Sequence, residues 1–131
     1  MLSVAVGAIA AVVAGVDPAT GLAWVAIAAA VGVGIDFDHF LVAWYKTGET
    51  RTIRYCLRNP RAVFLDQDSI FDADDLGKLD RLLSHLLIGG PLVVALWAFD
   101  PAVALLVAAT LYVHVVADLI ADIRELNATT W

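Results

Sequence analysis

All three histidines of this 131-residue chain lie within apolar runs, at Asp36-Phe37-Asp38-His39, at Ser84-His85 and at His114-Val115-Val116-Ala117-Asp118. An ionisable side chain at membrane depth costs several kcal/mol unless it faces a partner, an ion or a water-filled cavity. Three such segments in one short chain point to one shared polar site. The runs themselves set the fold class, because 61% of the residues are apolar, against roughly half in soluble domains. The expectation is an all-α, polytopic membrane protein forming a single domain over 1–131, with helices at about 2–16, 21–46, 76–99 and 101–126.

Asp17-Pro18-Ala19 and Asp100-Pro101-Ala102 each join two apolar runs, so the four helices read as two hairpins with these segments as outer turns. Between the hairpins, residues 47–75 form a polar loop. Lys46, Arg51, Arg54, Arg58, Arg61, Lys78 and Arg81 fall in or beside it, leaving Arg124 as the one cation elsewhere. Basic loops stay on the cytoplasmic side, which predicts a multi-pass protein of the cell membrane with both termini cytoplasmic. The start, Met1-Leu2-Ser3-Val4, has no positive region, which reads as a retained first helix. The loop cations suit anionic lipid headgroups, and no nucleic-acid motif occurs. Single Cys56 excludes an internal disulfide. Asp66-Gln67-Asp68-Ser69-Ile70-Phe71-Asp72 lacks the turn glycine and closing Glu of a calcium loop, and Asp72 or Asp75 can cap the third helix.

Depth brings the polar groups together. At 1.5 Å rise per residue, His114 lies about 20 Å from the turn at Asp100, His85 a similar distance from Phe99, and Asp36 about 20 to 23 Å from Gly21. His39, Arg81 and Asp118 fall about one turn nearer the cytoplasm, and Asp122 a further turn on, reaching water. Asp36 and His39 are three residues apart, while Arg81 with His85 and His114 with Asp118 are four apart, so each pair shares a helix face. Imidazole and carboxylate are the usual protein ligands of zinc, manganese and iron. Asp36, His39, His85, His114 and Asp118 are therefore the candidate ligands of a divalent metal, zinc first, with manganese or iron as alternatives. The same residues also fit a hydrogen-bond network that fixes helix packing, as in a non-catalytic membrane subunit or scaffold. Ion conduction fits less well, since no polar track continues outward through Val4 to Gly15 or Leu92 to Phe99.

Taken in order, Ile35-Asp36-Phe37-Asp38-His39, Asp80-Arg81-Leu82-Leu83-Ser84-His85 and Val113-His114-Val115-Val116-Ala117-Asp118 resemble the three motifs of the YdjM-like family of inner-membrane, metal-dependent hydrolases. Asp80 stands where that family carries a histidine, Ile35 where it carries a proline, and Ser84 where it carries a threonine. The resemblance implies a hydrolase. In such an enzyme Asp38 or Asp80 would serve as general base, and Arg81 would hold an anionic group such as a phosphate, its other role being a positive-inside anchor. An amphiphilic substrate from the inner leaflet would meet the site at headgroup depth.

Overall fold

The computed structural model describes residues 2–37 and 78–129 of the chain, with side chains over 2–37 and 82–128. Asp38, His39, Cys56, the loop 47–75 with its basic residues and the capping acids Asp72 and Asp75 lie outside the described residues. For Asp80 and Arg81 the backbone alone is described, in the first turn of the third helix. Among the described residues all regular structure is helical: α1 (Leu2–Ala14), α2 (Pro18–Gly34), a 3₁₀ turn (Ile35–Phe37), α3 (Lys78–Trp97) and α4 (Pro101–Thr129).

The two hairpin tips share an Asp-Pro start to their second helix. Gly15 takes a left-handed φ of 63°, and behind it the Gly15 amide donates to the Val12 carbonyl and the Val16 amide to that of Ala11. These two bonds form a Schellman cap, so α1 stops at Ala14 rather than near Val16. Asp17 then opens α2, accepting from the Ala19 and Thr20 amides at 3.0 and 3.2 Å. Pro18 takes the first helical position, where its missing N–H costs nothing. The expected start near Gly21 is therefore corrected to Pro18, because proline here begins a helix instead of blocking one. Hydrogen bonds from the Thr20 hydroxyl and backbone hold the Asp17 carboxyl below its ordinary pKa. Asp100 repeats the device, accepting from the Ala102 and Val103 amides at 2.9 and 3.1 Å with Pro101 next.

α4 is the hub, packing against α1, α2 and α3. Its buried residues Ala104, Val107 and Leu111 recur every three or four positions, with Leu106 and Thr110 beside them, which is one helix face. Val107 and Leu111 form the core with Ile35, and Ile27, Val31, Val93, Leu96 and Val103 pack around them. α1 lies close on α2 through small residues. A Cβ built on Gly7 would stand 2.8 Å from the Val25 Cα and 3.0 Å from the Ala28 Cβ, and the Ser3 side chain occupies the notch at Gly32. α3 continues through Gly89-Gly90-Pro91. Gly90 spares Pro91 the Cβ clash that disfavours helix before proline, and Gly89 admits Leu111, whose Cδ1 would lie 2.9 Å from an added Cβ.

Pro18–Phe37 and Pro101–Ala128 are long and apolar enough to cross a membrane, whereas Leu2–Ala14 and Leu82–Trp97 are apolar but shorter. Large apolar side chains on all four helices, among them Val12, Leu22, Val94 and Leu105, point outward.

The tight seam between α1 and α2 yields the first prediction. Gly7→Ala should destabilise the protein by about 1–3 kcal/mol, the usual cost of overpacking against backbone. Gly34→Ala, with open space around its Cα, should instead be neutral or stabilising by up to about 1 kcal/mol. Unfolding midpoints in detergent compare the two, and equal midpoints would contradict the packing described.

Candidate metal centre

The core stripe of α4 runs directly into the polar site. One turn beyond Leu111 comes His114 and one turn further Asp118, both partly buried, so apolar packing fixes the helix face on which the donors stand. Asp36 follows the core residue Ile35 in the 3₁₀ turn that ends α2. His85 lies one turn from Gly89 on α3. Since α3 and α4 run antiparallel and Gly89 meets Leu111, the next turn brings His85 against His114, with ring centroids 5.3 Å apart and inclined at 62°.

Four donor atoms converge. His114 Nε2 lies 3.0 Å from Asp36 Oδ1 in a hydrogen bond and 3.6 Å from Asp118 Oδ2. His85 Nε2 lies 3.5 Å from Asp118 Oδ2 and 3.9 Å from Asp36 Oδ1. One ligand atom from each residue falls within 4.8 Å of all the others. Ligands about 2.0–2.1 Å from a tetrahedral ion stand about 3.3 Å apart, and the four nitrogen–oxygen separations of 3.0–3.9 Å bracket that spacing. The group can therefore hold a metal ion.

Charge agrees with geometry. Two carboxylates and two neutral imidazoles carry a charge of −2, which a divalent cation cancels. In apolar surroundings the neutral set is far less costly than two bare carboxylates. The side chains open progressively, with His85 1% exposed, His114 15%, Asp36 20% and Asp118 28%.

Of the five expected ligands, Asp36, His85, His114 and Asp118 meet, and His39 lies outside the described residues. Asp118 was expected one turn nearer the cytoplasm than the other three but joins them, because side chains on a helix lean toward its N-terminus. Asp36 lies on a 3₁₀ turn rather than on a continuing α-helix. With α2 starting at Pro18, the path to Asp36 is about 27 Å rather than 20 to 23 Å, against about 20 Å from Pro101 to His114. Asp122, expected in water, is partly buried. Comparison with protein-family models, with curated proteins and with solved structures finds no match to this chain.

Each imidazole contributes one of four donors, so His85→Ala and His114→Ala should each abolish stoichiometric binding of added Zn²⁺. Elemental analysis of the detergent-purified, metal-loaded protein would measure this, with Cys56→Ala as the control that retains metal. Full retention by both histidine variants would refute the assignment.

Proposed function

We propose that this protein is a membrane-embedded, metal-dependent hydrolase working near the cytoplasmic face on an amphiphilic or phosphoester substrate. The observation that carries the reading is the convergence of two imidazole nitrogens and two carboxylate oxygens from α2, α3 and α4 at metal-ligand spacing. The motif resemblance to the YdjM-like hydrolases supports the reaction class. Zinc suits an N₂O₂ donor set of this size, and manganese or iron would also be accepted.

A divalent ion held there supplies the Lewis acidity that makes water a nucleophile at neutral pH. The chain supplies the rest. Asp36, His85, His114 and Asp118 hold the ion, with His39 as a further ligand. Asp38 or Asp80 accepts the proton of the attacking water. Arg81, one turn from His85 along α3, holds the anionic group of the substrate through paired N–H donors.

Membrane embedding rests on two helices of spanning length and composition and on the apolar side chains that point outward. In the multi-pass arrangement proposed, the two Asp-Pro tips lie outside, and the basic loop and both termini lie in the cytoplasm. Lipids are then its immediate neighbours. The direct His114–Asp36 hydrogen bond favours a second reading, in which the cluster fixes helix packing in a non-catalytic subunit or scaffold.

Two measurements test these proposals. A reporter inserted at Gly48 or fused after Trp131 should read cytoplasmic, and one beside Ala19 or Ala102 external; an external reading at Gly48 would overturn the topology. Asp38→Asn and Arg81→Gln should keep metal content and thermal stability while lowering turnover of an anionic amphiphile. Loss of the water-activating base removes about two to four orders of magnitude of rate. If both variants instead lose stability, and metal-dependent hydrolysis is absent across lipid and phosphoester substrates, the scaffold reading replaces the enzyme.

A further inference from the structure

Four donors at tetrahedral spacing make a complete ligand set. Structural zinc sites are closed in this way, whereas catalytic ones keep a position for water or substrate. A cluster that does chemistry must therefore release one of its four ligands, and the four differ in how firmly they are held. His85 is 1% exposed, and its ring meets that of His114. Asp36 follows the core residue Ile35, which packs with Val107 and Leu111. Its Oδ1 lies 3.0 Å from His114 Nε2, the shortest separation in the cluster. Asp118 stands one turn of α4 beyond His114, on the side away from that core, and at 28% it is the most exposed of the four. Its Oδ2 is 3.5 Å from His85 Nε2 and 3.6 Å from His114 Nε2. The antiparallel register sets Gly89 against Leu111 and His85 against His114. One turn further it brings the α3 backbone at Arg81 level with Asp118.

From this placement we infer that Asp118 is the exchangeable ligand: its carboxylate completes the resting set and yields its position to an oxygen of the substrate's anionic, phosphate-like group. The inference rests on the metal reading of the cluster. The exchange is balanced, since one carboxylate–metal contact breaks as one phosphate-oxygen–metal contact forms. Coordination number and oxidation state are both unchanged. Rotation about χ1 is enough to carry the Asp118 carboxylate out of the set, so α4 and its His114 stay in place. His85, His114 and Asp36 keep the ion bound while the exchange takes place. Asp118 thus shields the ion at rest and exposes it at the level where Arg81 enters the site.

The experiment uses the full chain in detergent, stripped with chelator and loaded with Co²⁺, whose visible absorption is strong in four-coordinate sites and weak at higher coordination. Inorganic phosphate added to the wild type should shift the band while keeping its intensity and the bound Co²⁺, the mark of one ligand replacing another. Asp118→Ala should still bind equimolar Co²⁺. Its phosphate response should reach the midpoint at about tenfold lower concentration, equivalent to about 1.4 kcal/mol of displacement no longer required. Asp118→Asn, which keeps the side-chain volume, should behave in the same way, and thermal midpoints confirm the fold of each variant. Asp36→Ala should instead lose Co²⁺. A fall in wild-type intensity on adding phosphate would overturn the inference, because phosphate would then add without displacing a ligand. So would a wild-type spectrum indifferent to phosphate, an unchanged midpoint in the Asp118 variants, or loss of Co²⁺ from both of them while folded. Failure of the wild type to take up Co²⁺ would refute the metal reading itself, and it shows before phosphate is added.

Discussion

Asp36 and Asp118 come from different helices, yet their oxygens share one small site with two imidazole nitrogens. Two carboxylates cannot stay charged side by side in apolar surroundings without compensating positive charge. That requirement shapes the described structure. It ties the end of the first hairpin to both helices of the second, and the His/Asp cluster lies directly beneath the apolar core. A divalent ion meets the requirement with the fewest changes, because its charge equals that of the two acids. Protonated imidazoles paired with the carboxylates would also meet it, and this is the physical difference between the catalytic and the packing readings.

The donors reach one another because the helices approach closely at selected points. Gly7 and Gly32 set the first hairpin. Gly89 lets Leu111 seat against α3, one turn from the meeting of His85 and His114. A bulkier residue at any of these positions would act at a distance, since a helix displaced at Gly89 carries His85 with it. The Asp N-caps at Asp17-Pro18 and Asp100-Pro101 serve the same end by fixing where α2 and α4 begin, hence how many residues separate each tip from the site.

Much of this was legible in the chain. Long apolar runs require helices in lipid, where every backbone group must be satisfied within its own segment, so the all-helical character followed from composition. The spacing of His114 and Asp118 and the repeated Asp-Pro-Ala gave the shared face and the hairpin tips. Less legible were the helix ends. In sequence Gly15 looks like any other small residue of an apolar run, yet its freedom to adopt positive φ is what stops α1, and Pro18, placed in an outer turn by the sequence, takes a first helical position where proline is favoured.

By itself the sequence determined which residues carry charge inside apolar segments, and thereby that Asp36, His85, His114 and Asp118 needed partners. Periodicity along a helix settles a side chain's face and approximate depth, because rise and rotation per residue are fixed by the backbone. Only the tertiary structure decided that these four meet. Which faces oppose one another depends on packing between helices distant in sequence, on the contact of Ile35 with Val107 and Leu111 and the approach of Gly89 to Leu111, and no local spacing encodes that distance.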